Sequence, residues 1–306
     1  IFFRGSGFSL SGSMMLHLLL SVGLAAAWVD GLQWPIVIMH GMGDFADNPL
    51  GMVPIRQQLS KHAGTYVTNI ALGDGSVQDQ SSEFLMLMDD EVDTFAKKVR
   101  ADPKLSNGFD AIGFSQGNLI IRGYVQRYNA PPVKRFLSMH GPMVGVAGFP
   151  RCDYGLEICR LFDRLLGILA YTDIAQGSLA QANYLRDPLR IPEYVKKCKF
   201  LPDINNEGPA KNQTYKDNFV KLEKLVLVKA LQDTMIQPRD SEWFGFFADN
   251  SQSTLLPMNE TMWYLEDSFG LQTLHKAGRV YFETTPGNHL QFGVKDLEHL
   301  VDTYFV

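Results

Sequence analysis

One pentapeptide, Gly113-Phe114-Ser115-Gln116-Gly117, constrains more than any other feature what this chain can fold into. It occurs once, between an apolar run, Phe109 to Ile112, and a helix-like run, Leu119 to Tyr128. A serine on a sharp strand-to-helix turn adopts strained backbone angles, so small residues must stand two positions to either side. The helix that follows opens with unbonded N–H groups beside the hydroxyl, where a negatively charged oxygen can rest. The plainer reading is a glycine-rich turn with a surface serine. The strand before it and the helix after it favour the reactive one.

The rest of the chain supplies the matching scaffold. Ile36-Val37-Ile38-Met39 reads as a buried strand that ends at His40-Gly41-Met42-Gly43-Asp44, and Val53 to His62 as a helix. Tyr66 to Ile70, Phe109 to Gly113, Val133 to His140, Leu225 to Ala230 and Arg279 to Glu283 are further strands. Phe84, Leu85, Met88, Val92, Phe95, Ala96 and Val99 recur at helical spacing and predict one long amphipathic helix over Ser82 to Arg100. Val294 to Tyr304 is a closing helix. Strands alternating with helices predict an α/β fold, a mostly parallel sheet with helices on both faces. Between Gly141 and Glu223 the rhythm breaks into short helical pieces with Pro and Gly. That stretch is expected to be an α-rich insertion over the carboxyl ends of the strands, where ligands bind in open α/β sheets.

The sequence has 306 residues, 45% of them hydrophobic, which is ample for one large domain core. Net charge is −5 with no basic run, which argues against a nucleic-acid partner. Near the start, Met14 or Met15 precedes a short apolar stretch, Leu16 to Leu24, and then Ala25-Ala26-Ala27. That is the anatomy of a signal peptide cleaved before Trp28, and the stretch is too short for an integral membrane span. The expected organisation is residues 1–27 as upstream leader and signal peptide, and 28–306 as one domain with its insertion at about 141–223. A secretory route fits two N-glycosylation sequons, at Asn212 and Asn259, and permits Cys152 and Cys159 to close a small loop, with Cys198 left over.

A reactive serine needs a base within hydrogen-bond reach and an acid that orients the base. In α/β-hydrolases these follow in the order serine, acid, histidine, each in a loop after a strand. Asp233 stands just past the fifth expected strand and His289 just past the sixth. His275 precedes a strand, His299 lies within the last helix, and His140 comes before the acid. Asp240 and Glu242 are fallback acids. The oxyanion should rest on the amide of Gln116 and on one from the loop after the first strand, with Met42 the expected donor. No metal is expected, because no His-x-x-x-His, Cys-x-x-Cys or carboxylate cluster has ligand spacing. No cofactor is expected either, for want of a Gly-x-Gly-x-x-Gly or P-loop.

With those positions fixed, the chain resembles the lysosomal palmitoyl-protein thioesterases from about Pro35 onward. The telling segments are His40-Gly41-Met42-Gly43-Asp44, Gly113-Phe114-Ser115-Gln116-Gly117, Gly148-Phe149-Pro150-Arg151-Cys152 and Gln181-Ala182-Asn183-Tyr184 with Asp187-Pro188. Asp203-Ile204-Asn205, Asn212-Gln213-Thr214-Tyr215 and His289-Leu290 add to them. Asp240-Ser241-Glu242-Trp243-Phe244-Gly245-Phe246 is the most specific and is similar to the type-one branch. The resemblance implies hydrolysis of long-chain acyl thioesters on S-acylated proteins or peptides, in the lysosomal lumen or after secretion. It implies Ser115, Asp233 and His289 as a triad, the amides of Met42 and Gln116 as the oxyanion hole, a Cys152–Cys159 bridge and a glycan on Asn212. The chain departs from the family pattern at Phe45-Ala46-Asp47, where cysteines are usual, and it lacks the cysteines of another family disulfide. At His140-Gly141-Pro142-Met143-Val144-Gly145, apolar groups replace polar ones.

A long acyl chain needs a dry groove, since each buried methylene contributes about 0.8 kcal/mol. The insertion and the Asp240–Phe247 segment are expected to wall it, with Met143, Val144, Phe149, Leu166, Ile168 and Trp243 as candidates. The plainer alternative is that these residues form the insertion's own core. Two other functions compete: a lipase or esterase using the same triad on oxygen esters, and a catalytically silent lipid-binding protein.

Overall fold

Strands recur where the apolar runs predict them in the computed structural model, which describes residues 34–148 and 169–305. They are β1 (Ile36–Met39), β2 (Val67–Asn69), β3 (Phe109–Phe114), β4 (Val133–Met139), β5 (Lys224–Ala230) and β8 (Val280–Thr285). Their order across the sheet is β2-β1-β3-β4-β5-β8, and every neighbouring pair is parallel. A separate antiparallel pair joins β6 (Phe246–Phe247) to β7 (Leu255–Leu256).

The two-residue period of a strand sends alternate side chains to opposite faces. Ile36, Ile38, Ile112, Leu137, Val226 and Val228 enter one core, and Val37, Met39, Ala111, Phe136, Leu225 and Leu227 enter the other. Both sets are buried, so the strands read as continuous apolar runs rather than as alternating ones. The first core is covered by α1 (Met52–Ala63) and by the C-terminal helix α7 (Val294–Tyr304). The second is covered by α3 (Met88–Ala101) and α4 (Gly117–Arg127), together with pieces of the insertion. Among those pieces are α5 (Ile191–Lys197) and α6 (Gln213–Phe219).

The expected single helix over Ser82 to Arg100 is two helices. α2 (Ser76–Leu85) ends where Met86 turns extended, and α3 restarts at Met88. The reason lies in charge and burial. Asp89, Asp90 and Glu91 fill the first turn of α3, where acidic groups complement the partial positive charge of a helix start. Phe84 and Leu85 leave the apolar stripe and are exposed, whereas Met88, Val92, Phe95, Ala96 and Val99 stay in the core. The strand bounds expected from sequence otherwise hold to within two residues at each end. The proposed leader and signal peptide, residues 1–27, lie outside the described residues.

Candidate active site

Ser115 sits between β3 and α4 with φ of 50°, a left-handed conformation uncommon for a residue bearing a β-carbon. A β-carbon on Gly113 would run into the Asn118 amide, and one on Gly117 would run into the carbonyl oxygens of Met39 and His40. Glycine is therefore required at both positions by crowding. The turn is fixed from behind: Ser115 N–H donates to Met139 O at 3.1 Å, and Asn118 Nδ2 donates to the carbonyls of Ser115 (3.0 Å) and Met139 (3.1 Å).

His289 lies in the loop after β8, and its Nε2 is 2.9 Å from Ser115 Oγ. Its Nδ1 is 2.6 Å from Asp233 Oδ2. Asp233, in the loop after β5, uses its other oxygen to accept the amides of Met235 (2.7 Å) and Ile236 (2.8 Å). Burial pushes the Asp233 pKa up, but the hydrogen bond and charge of His289 and those two amides outweigh it. The carboxyl ends below its ordinary value and is ionised. Neither fallback acid reaches His289 among the contacts seen. Asp240 pairs with Lys229 at 3.2 Å. Glu242 is fully buried, accepts the Ala230 amide at 2.9 Å, and has its pKa raised to about 10 by burial and then by the Asp233 charge. Asp233 is thus charged and the neighbouring Glu242 neutral.

The loop after β1 lies against the serine turn. A β-carbon on Gly41 would be 2.8 Å from Ser115 Cβ, so the backbone there is as close as glycine allows. The loop is braced from outside by Asp79, whose carboxylate accepts the amides of Ala46 (2.8 Å) and Gly73 (3.2 Å) and stands 3.4 Å from His40 Nε2. Met42 and Gln116, the two expected oxyanion residues, are joined through the insertion. Gln181 Nε2 reaches Met42 Sδ at 3.0 Å and Gln116 Oε1 at 3.4 Å, and Tyr184 donates to the same Gln116 oxygen at 3.0 Å. Gln116 Nε2 in turn donates to the buried Glu91 carboxylate at 3.2 Å. None of this network carries a local sequence signal, apart from the Gln181-Ala182-Asn183-Tyr184 segment.

The expected acyl groove needs correction. Met143 and Val144 have no exposed surface and belong to the second core, so they do not line a groove. Trp243 is partly buried, donates to Leu227 O at 2.9 Å and packs edge-on against Phe282. It borders a cleft of about 510 Å³ with Met258, Tyr264 and His275, a cleft that none of Ser115, Asp233 or His289 lines. Phe149, Leu166 and Ile168 lie outside the described residues, as do Cys152 and Cys159. A cavity of about 370 Å³ that the sequence did not point to opens beside the β1 loop. Gly41, Met42, Phe114, Leu290 and Phe292 line it.

Asn212 and Asn259 are both exposed, and Asn212 caps α6 by accepting the Thr214 amide at 3.0 Å. Among the described residues, His140, Asp233 and His289 offer metal-ligand atoms within 4.8 Å of one another. Two of these residues are already spoken for by the His289–Asp233 hydrogen bond. No helix among the described residues is long and apolar enough to cross a membrane.

A parallel sheet with a serine at the turn after β3, an acid after β5 and a histidine after the last strand defines an α/β-hydrolase. The family model described as "Palmitoyl protein thioesterase" matches residues 35–289, and the chain belongs to that family. It is 42% identical to Palmitoyl-protein thioesterase 1 of Caenorhabditis elegans over 260 residues, 85% of this chain and 87% of the relative. It is 38% identical to Palmitoyl-protein thioesterase 3 of Dictyostelium discoideum over 284 residues, 92% and 94% of the two chains. It is also 30% identical to the Lysosomal thioesterase PPT2 homolog of Drosophila melanogaster, over 83% and 85% of the two chains.

Proposed function

We propose that this chain hydrolyses long-chain fatty acyl thioesters on S-acylated proteins or peptides through an acyl-serine intermediate. The observation that carries the reading is the unbroken line from Asp233 to His289 (2.6 Å) to Ser115 (2.9 Å) at the ends of β5, β8 and β3. His289 Nε2 takes the proton of Ser115 as Oγ attacks the thioester carbonyl. Asp233 holds the imidazole by Nδ1 and offsets the positive charge that forms on it. The amides of Met42 and Gln116 receive the oxyanion. The C–S bond then breaks, and the thiolate takes the proton from His289. Water, deprotonated by the same imidazole, attacks the acyl-serine, and the acid leaves as Ser115 is restored.

Two features support an acylated thiol over a generic ester. The Caenorhabditis and Dictyostelium relatives carry the thioesterase name, and a cavity lined by Met42, Phe114, Leu290 and Phe292, with Asp44 and Asn48, adjoins the site. The decisive comparison is turnover of a palmitoyl thioester against the matching oxygen ester, with mass spectrometry of the acylated intermediate. Faster thioester turnover with the adduct on Ser115 is expected. Faster oxygen-ester turnover would move the assignment to a lipase or esterase, and binding without thiol release to a silent lipid carrier. A secretory route, ending in the lysosomal lumen or outside the cell, belongs to the same reading, as do a Cys152–Cys159 bridge and glycans on Asn212 and Asn259. The name of the Drosophila relative supports the lysosomal destination. Mass analysis without reductant should find one free thiol, that of Cys198. Three free thiols would remove the bridge.

A further inference from the structure

We propose that His140 is a positioning residue for His289: its imidazole clamps both ends of the loop that carries the base. This rests on the reading of Ser115, His289 and Asp233 as a triad. His140 ends β4, is fully buried, and its backbone N–H donates to Val228 O at 3.1 Å. Its φ is 50°, a region that residues with a β-carbon enter rarely. The ring makes two hydrogen bonds. Nδ1 is 2.9 Å from the amide nitrogen of Leu290, the residue after His289. Nε2 is 2.8 Å from Oγ1 of Thr285, the last residue of β8. The Leu290 amide only donates, so Nδ1 must accept. The single ring proton therefore sits on Nε2 and is given to Thr285.

This clamp is the inner brace of the loop. The outer brace is Asn288, whose Oδ1 accepts the amides of Thr234 and His289 at 3.0 and 2.6 Å and so ties the base's loop to the acid's loop. Leu290 itself is exposed and has φ of 54°, and the turn around it is closed by the Gln291 amide, which donates to Asn288 O at 2.9 Å. The His140 ring centroid is 6.0 Å from that of His289 and 5.8 Å from that of Phe292. His289 and Asp233 are the titratable groups that act on it. Burial first, and then His289, holds its pKa down to about 4 against the opposite pull of Asp233. His140 thus stays a neutral acceptor while the imidazolium of His289 forms next to it. Sequence order alone sets it aside as a base, since it precedes the acid, and nothing local marks a role in holding the true base.

Three variants test the clamp. His140→Ala removes both hydrogen bonds. His140→Asn keeps an acceptor where Nδ1 stood, and Asn tolerates the left-handed backbone. Thr285→Val removes the Nε2 partner alone. For folded His140→Ala, kcat should fall about tenfold with KM within about twofold, and labelling of Ser115 by a fluorophosphonate should slow in parallel. His140→Asn should recover most of both, and Thr285→Val should sit between wild type and His140→Ala. Unchanged kcat in folded His140→Ala, a rise in KM instead, or His140→Asn as slow as His140→Ala would overturn the clamp. If His140→Ala does not fold, His140→Asn and Thr285→Val decide: the clamp falls if Thr285→Val matches wild type while His140→Asn has lost activity. Ser115→Ala, run beside them, separates the two readings. An active Ser115→Ala removes the triad itself, whereas an inactive one beside a fully active His140→Ala removes only the clamp.

Discussion

On one side of Ser115 the groups proposed to meet the reacting atoms are backbone amides, of Met42 and Gln116, held by glycines and by a web of side-chain amides, a tyrosine and the buried Glu91 carboxylate. On the other side they are ionisable side chains, His289 and Asp233, with His140 and Glu242 packed around them. The first half is set by how closely two pieces of backbone approach, and its behaviour depends on packing. The second is set by where protons reside, and it depends on burial and charge. A substitution on the oxyanion side should shift geometry and leave protonation alone. One on the acid–base side should do the reverse.

The largest effect expected on either side is that of Asp233→Asn. The volume is kept, but an amide in place of the carboxylate permits the wrong tautomer of His289 and removes the charge that balances the imidazolium. A loss in kcat of about 10⁴ is expected, with native circular dichroism. Retention of a tenth of the activity would show that Asp233 does not orient the base.

Gly117→Ala strikes the other half. Its methyl group must displace the carbonyls of Met39 and His40, which pushes the β1 loop away from the start of α4. Separation of the two oxyanion amides should lower kcat by about 10²–10³, comparable to losing one donor. If steady-state kinetics show KM rising with kcat preserved, the two amides do not act together.

Gln181→Ala tests whether the insertion takes part. Gln181 touches both Met42 and Gln116, so its loss should loosen both oxyanion residues at once. The expected fall in kcat is about three- to tenfold. A matching decrease in Gln181→Ala and in a Gln116→Ala, Gln181→Ala double variant would place the effect in that shared contact. Additive losses would dissociate them.

The smallest effect on chemistry and the clearest on stability belongs to Glu242→Gln. Glu242 has a folded pKa raised to about 10 against an ordinary 4.5, so the folded state holds a proton that the unfolded state has released. Its contribution is fully present below about pH 4.5 and is lost as pH rises toward 10, by up to about 1.4 kcal/mol per pH unit. His140 has the opposite sense. With its folded pKa lowered to about 4 from 6.5, stability is lost as pH falls between those values. Urea midpoints should therefore coincide for wild type and Glu242→Gln near pH 4.5 and separate at pH 8, the variant being the more stable. Equal midpoints at pH 8 would mean Glu242 is ionised in the folded protein.

The close approach of the β1 loop to the serine turn was legible in the sequence, and so was the sheet. Glycine at 41, 43, 113 and 117 leaves a visible trace, and strands buried on both faces write continuous apolar runs. The placement of Asp233 and His289 beside Ser115 followed from the rule that the side chains of such a site stand in loops after strand ends. What escaped detection was contact between residues far apart in the chain. His140 meets Leu290 across 150 positions and Gln181 meets Met42 across 139, and neither pairing leaves a local pattern. The break between α2 and α3 was hidden because Phe84 and Leu85 continue the apolar spacing while the backbone does not. β6 and β7, two residues each, are too short to show a period at all. The acyl residues were misjudged at Met143 and Val144 because an apolar residue in an insertion can serve its core as readily as a groove.

β4 and β5 lie side by side in the sheet, yet residues 140–223 separate them in the chain. Because closing a loop costs only about 0.6 kcal/mol more for each doubling of its length, that excursion can grow or be rewritten with little penalty. Its cost is kinetic, since a distant pairing forms late. A chain made from its N-terminus therefore exposes the serine turn and the β1 loop long before β5 and β8 arrive with Asp233 and His289. On the proposed mechanism, the nucleophile is synthesised first and armed last. A nascent chain halted ahead of β8 should consequently carry Ser115 and show no reaction with a fluorophosphonate, whereas the finished chain should be labelled.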